Sequence, residues 1–139
     1  MVTIETVKRG AKNGINTVLE LGKVIIPVYL FITILKYTVI LELISKWFQP
    51  LMKIFGLPGE AAVVLVLGNL LNLYAGIGAI ASLTLTAKQI TIIAVMLSFS
   101  HSLPVETAVS KKVGVSVLAV VSTRIGLAAV SGIILNLVI

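Results

Sequence analysis

The chain has 139 residues, of which 58% are hydrophobic and 12% charged, with eleven Lys/Arg against five acidic groups. Soluble domains carry about 45–50% apolar and about 25% charged residues, so this composition excludes an ordinary soluble fold. With no cysteine there is no disulfide, thiolate metal site or thiol catalysis, and the net charge of +6 sits at segment ends, where it serves headgroup attraction and topology rather than nucleic acid.

Thr3 to Gly22 reads as an amphipathic helix. Ile4, Val7, Ala11, Ile15, Val18 and Gly22 recur at helical spacing, with Glu5, Lys8, Arg9, Lys12, Asn13, Asn16 and Glu20 mostly elsewhere on the wheel. Residues 1–23 are therefore expected to form an interfacial segment in the headgroup plane, or a short helix packed on the protein's own loops. The segment alternates charge and apolar groups without an early hydrophobic core, unlike a cleaved signal peptide.

Residues 24–139 read as the transmembrane domain. Val24 to Ile44 is the first expected span, with Pro27 in its first turn and Lys36 deep enough to need a protein partner. Ser45 to Gly56 places Trp47, Phe48, Leu51, Met52 and Phe55 on one side and Lys46, Gln49 and Lys53 on the other, a second surface-lying segment. Pro58 then suits the first position of the next helix.

Ala61 to Ala87 is uncharged and has two readings. One is a single long span weakened by Asn69, Asn72, Gly76 and Gly78. The other, which we favour, is a re-entrant hairpin with those residues at its tip, each arm reaching about 18 Å. Irregular backbone at membrane depth survives only inside protein or beside a water-filled cavity. Lys88 to Lys112 is the second crossing and is broken at Pro104, which lacks an N–H and frees the carbonyl of Ser100. The following half-helix would point its N-terminus into the bilayer. Val115 to Ile139 is the last span, with Gly114, Gly126, Gly132, Ala128, Ala129 and Ser131 allowing close packing. The expected fold class is an all-α membrane protein: an N-terminal amphipathic helix, about three transmembrane helices, one re-entrant hairpin and one broken helix. Three spans put the termini on opposite sides, with a six-to-three lysine and arginine bias toward an inside N-terminus of a multi-pass protein of the cell membrane.

Ser98, His101 and Ser102 stand at i, i+3 and i+4, one helical face just before the break, and Asn69 and Asn72 at the hairpin tip can meet it. Amides, hydroxyls and an imidazole suit a neutral polar ligand such as a nucleobase or ribose, or else satisfy one another and the broken backbone. Glu106 either caps the half-helix or couples cation entry. His101 is either a hydrogen-bonding fixture or a proton relay. Arg124, inside its span, either lines a polar cavity or neutralises Glu106 or an anionic substrate. One His, no Asp and no paired carboxylates leave hydrolase triads and common metal sites without parts, so neither enzyme activity, metal nor cofactor is expected. No basic–aromatic interleaving suggests nucleic acid.

The run Gly56-Leu57-Pro58-Gly59-Glu60-Ala61-Ala62, then Asn69 to Ala75, then His101-Ser102-Leu103-Pro104-Val105-Glu106 with Lys111-Lys112, resembles the Gate or "nucleoside recognition" membrane domain over roughly residues 20–139. That domain occurs in concentrative nucleoside transporters, twice in ferrous-iron transport protein B, and in small spore-maturation proteins. The resemblance implies a hairpin carrying Asn69, Asn72 and Tyr74 and a broken helix carrying Ser98, His101, Ser102 and Glu106. Its implied function is transport or recognition of nucleosides or a related polar solute. Two alternatives are a membrane accessory of the spore-maturation type and half of an ion path, the latter weakened by the missing cysteines. A single repeat does not enclose a path, so the expected assembly is a homodimer, antiparallel in one version.

Overall fold

The computed structural model describes residues 3–139; Met1 and Val2, the start of the expected interfacial segment, lie outside the described residues. Seven helices and no strand occur among those residues: α1 (Ile4–Lys36), α2 (Val39–Ile54), α3 (Ala61–Leu70), α4 (Leu73–Ser82), α5 (Ala87–Ser100), α6 (Leu103–Lys112) and α7 (Val117–Val138). α1, the Ala87–Lys112 stretch and α7 are each long and apolar enough to cross a membrane.

The first departure from the expected segments is α1. It runs unbroken for 33 residues, about 50 Å, so no break marks the expected boundary at residue 23. Pro27 therefore sits inside a helix rather than in a first turn. The helix also stops earlier than the expected span, which was drawn to Ile44. Tyr37 N–H closes it on Ile34 O at 3.1 Å and Thr38 N–H on Leu35 O at 3.0 Å, and Thr38 turns to extended backbone while its hydroxyl also donates to Leu35 O at 2.8 Å. A threonine that bonds a nearby carbonyl competes with the helix, and the β-branched Val39 and Ile40 add no helical preference at the junction. Lys36 finds the partner it needs: its Nζ donates to Ser82 O at 2.9 Å, tying the end of α1 to the end of α4. The chain then starts α2 at Val39, six residues before the expected surface segment, with Leu41 and Met52 buried and Trp47 exposed.

Residues 61–82 do not form one span. The chain turns at Leu71–Asn72 into a helical hairpin with arms of ten residues, each about 15 Å long. Gly76 and Gly78 are not at its tip, as expected, but inside α4. There their missing side chains let helices close up: a Cβ on Gly78 would lie 2.8 Å from Ile25 O of α1, and one on Gly68 would lie 2.6 Å from Leu97 of α5. The hairpin is thus wedged between α1 and α5.

α5 and α7 form the other main helix pair, with Gly132 of α7 against Met96 and Phe55 and Ala128 buried beside it. Gly126 has open space around it, and Gly114 serves the turn between α6 and α7 at φ +75°. Ile32, Val64, Ile92, Ile93 and Leu97 are the largest fully buried side chains and join the halves. Lys88 Nζ donates to Asn136 O at 3.0 Å and Asn136 Nδ2 to Ile54 O at 3.3 Å. With the Lys36–Ser82 bond, these contacts bring the ends of α1, α2, α4 and α7 and the start of α5 to one face. α1 and α7 consequently run the same way and α5 opposes them, which puts the two termini at opposite ends of the molecule.

Candidate functional site

α5 ends because His101 leaves the helix: its φ and ψ are −60° and 154°, although its N–H still reaches Leu97 O at 2.9 Å. The next residue, Ser102, is the only non-glycine with positive φ among the described residues (φ 55°, ψ 38°). That left-handed conformation costs a non-glycine residue about 1–2 kcal/mol. It is held from both sides. Ser102 N–H donates to Gly68 O of the hairpin at 3.0 Å, and Ser102 O accepts from the N–H groups of Val105 and Glu106, each at 3.1 Å. Pro104 lies in the first turn of α6, where its missing N–H leaves no bond unmade. The break and the hairpin therefore meet through backbone.

Arg124 of α7 braces the same place. Its Nη2 donates to His101 O at 3.2 Å and its Nη1 stands 3.4 Å from Glu106 Oε2, while its Nε is buried without a partner. The side chains of Arg124 and Glu106 are 23% and 40% exposed, so the pair borders the surface and gains less than a sealed one. Glu106 makes no cap bond. It lies in the first turn of α6, where Ser102 O already serves the N–H groups of Val105 and of Glu106 itself, and its carboxylate pairs with Arg124 instead. Of the alternatives for Arg124, the structure shows neutralisation of Glu106 together with a bond to the break.

The remaining expected residues are distributed less tightly. His101 Nδ1 lies 2.9 Å from Leu97 O; a carbonyl only accepts, so in this geometry Nδ1 is the donor. Ser102 is half-buried, and its hydroxyl makes no cap bond. Ser98 does not share their environment: it is exposed and its hydroxyl donates to Val95 O at 2.7 Å. The i, i+3, i+4 rule that grouped the three applies only within a helix, and the helix ends at Ser100. Asn72 caps α4, accepting from Ala75 N–H at 3.0 Å, and Tyr74 in that first turn is 41% exposed. Asn69 is half-buried with its Oδ1 unpartnered, and it lines a mostly apolar cavity of about 480 Å³ with Phe48, Leu51, Met96 and Ile125. Tertiary structure thus gathers His101, Ser102, Glu106 and Arg124 around one break. It sets Asn69 and Asn72 at the adjoining hairpin end and leaves Ser98 outside.

Sequence reasoning missed Gly68 as a site residue, because its contribution is a carbonyl rather than a side chain. It also passed over Thr33, whose buried hydroxyl has no partner. A single threonine in the apolar run from Val24 to Leu35 was the available signal.

Comparison of the sequence with known families takes in both the hairpin and the broken helix. The family model described as "Gate: Nucleoside recognition" matches residues 18–128. The chain belongs to the Gate family. The uncharacterized membrane protein YvoD of Bacillus subtilis (strain 168) is similar, 50% identical over 129 residues. That match takes in 93% of this chain and 41% of YvoD, so the chain spans about two fifths of that relative's length. No solved structure matches. With three apolar crossings and a membrane-protein relative, this Gate protein is a multi-pass protein of the cell membrane.

Proposed function

We propose that this Gate protein is transporter-like and recognises nucleosides or a related small polar solute where the hairpin end meets the broken helix. The observation that carries this is the Ser102–Gly68 backbone bond beside a strained Ser102, with two unmatched polar atoms on residues next to that bond: the Oδ1 acceptor of Asn69, which follows Gly68, and the Nε donor of Arg124, which bonds His101 O. A buried polar group without a partner costs about 1–3 kcal/mol, and a solute that both donates and accepts would recover it. The arms of α3 and α4 reach about half of a 30 Å hydrocarbon core, which supports a re-entrant hairpin whose end lies near mid-membrane. Access would change when hairpin and half-helix part, exposing the solute to one side and then the other. Three crossings and one hairpin do not enclose a path, so a second copy completes the wall.

The test is thermal stability of the purified protein against a panel of nucleosides, nucleobases and inorganic cations, followed by uptake into proteoliposomes. A nucleoside that stabilises the wild type, and no longer does so after Asn69→Leu, supports the reading. No stabilisation and no uptake by any member of the panel would refute it.

One observation favours a second reading, a non-transporting assembly protein. Most polar groups named for the site are bonded within the chain: Asn72 to Ala75, Ser98 to Val95 and His101 to Leu97. A silent solute panel combined with co-purification of a specific membrane partner would select it.

A further inference from the structure

Ala62, Leu65, Val66, Asn69 and Leu70 fall at i, i+3, i+4, i+7 and i+8 and share one face of α3. Opposite them stand Ile125, Ala128 and Ala129 of α7, yet the two helices scarcely touch. α5 holds them apart, with Leu97 against Gly68 of α3 and Met96 against Gly132 of α7. Phe55 of α2 also meets Gly132, about two turns along α7 from the Arg124 brace. What remains between the walls is the apolar cavity of about 480 Å³ that Asn69 lines. It is a groove, with Met52, Leu65, Met96 and Ala128 buried on its floor and Val66, Leu70 and Ile125 exposed on its rim.

The occupant follows from the groove's dimensions and chemistry. From Ala62 to Leu70 its wall runs about 12 Å, so its volume corresponds to a bore about 7 Å across, narrower than the about 10–12 Å of a helix with its side chains. An extended hydrocarbon chain fits such a bore. Among the described residues no charged side chain lines it, and a buried ion without a partner costs far more than a neutral group. One end is not wholly apolar. Asn69 follows Gly68, whose carbonyl holds Ser102, and the Asn69 Oδ1 is buried without a partner. A hydroxyl both donates and accepts, so it serves that amide in either orientation of its O and N atoms. We propose that the groove binds a neutral single-chain amphiphile of the long-chain alcohol class, its hydroxyl at Asn69 and its tail toward Phe55. This site lies beside the one proposed for the solute and shares only the Asn69 amide with it.

The probe is decanol bearing a diazirine on its chain, photolysed with the purified protein in phosphatidylcholine vesicles, with the labelled residues located by mass spectrometry. Label is expected on Leu51, Val66 and Ile125, which belong to three different helices and meet at this groove. Unlabelled decanol should displace it at least tenfold better than decanoate. Along a series from hexanol to tetradecanol, protection should rise about fourfold per CH₂ until the chain fills the groove, then level off. Ala129→Phe and Val66→Phe fill the groove from opposite walls and should each cut the label at least fivefold, whereas Ile134→Phe, outside it, should not. Asn69→Leu should abolish the advantage of decanol over decane; an advantage that survives would overturn the placement of the hydroxyl. Label spread evenly onto exposed residues of α1 such as Leu19 and Phe31 would mean annular lipid only and overturn the proposal. Protection that climbs with chain length without levelling would do the same. So would a disulfide between two copies of a Val66→Cys variant, which would put protein in the groove; the chain has no other cysteine. No nucleoside enters this assay, so it and the solute panel fail independently.

Discussion

Replacing Arg124 by methionine removes the brace on the broken helix while keeping an unbranched side chain of similar length. Two interactions go. The bond from Nη2 to His101 O is part-buried, and leaving that carbonyl unpaired costs about 1–3 kcal/mol. The pair with Glu106 spans 3.4 Å with both groups in partial contact with the surroundings, so it is held to the range of about 0.2–1 kcal/mol for exposed pairs. Removing the guanidinium also removes the unpartnered Nε, which returns part of the loss. The net expectation is a destabilisation of about 1–3 kcal/mol. Reversible unfolding in mixed micelles, followed by far-ultraviolet circular dichroism, measures it. Arg124→Lys should recover less than half, since one ammonium does not reproduce a guanidinium fork that serves His101 O and Glu106 at once. Glu106→Gln in both backgrounds completes a double-mutant cycle, with an expected coupling of about 0.2–1 kcal/mol. An Arg124→Met loss below about 0.5 kcal/mol, within the scatter of surface substitutions, would refute the view that Arg124 holds the break. Zero coupling to Glu106 would refute the ion pair alone.

Ser102→Gly should stabilise by about 0.5–1 kcal/mol in the same assay, because glycine takes the left-handed conformation without penalty; a loss of stability would show that the hydroxyl matters more than the strain. Gly78→Ala places a Cβ 2.8 Å from the backbone of Ile25 and should cost about 1–3 kcal/mol, with a lowered unfolding midpoint as the readout. Asn72→Ala deletes the cap on α4 and should cost about 1 kcal/mol, whereas Asn72→Ser should restore most of it. Trypsin sensitivity of the Leu71–Leu73 turn is not expected to report this, so unfolding is the measurement of choice.

Much of the architecture was legible because its causes are local. Asn72 and the helix-weakening residues around it announced the hairpin, and a cap needs only the N–H three residues on. Pro104 announced the break, since proline removes one donor wherever it falls. The need of Lys36 for a partner followed from charge and depth, and Ser82 O met it. Arg124 stood out for the same reason.

Other features could not be read locally. The partner that Lys36 finds lies 46 positions away, and no window on Val24–Ile44 contains it. The glycines 76 and 78 looked like turn formers, but their role is contact with α5 and α1, a property of neighbours rather than of φ and ψ. Ser98 was grouped with His101 and Ser102 by a periodicity that stops at Ser100, and only the fold says where a helix stops.

By itself the amino-acid sequence determined the solvent, the number of crossings, the two interruptions and the polar residues available near them. Hydropathy, proline stereochemistry and capping act within a few residues, so they are written in the chain. Tertiary structure decided which groups are spent and which are open: Arg124 against His101 and Glu106, Gly68 against Ser102, Asn69 left with an idle acceptor. Those pairings join residues from three or four separate helices, and their partners exist only once the helices have packed.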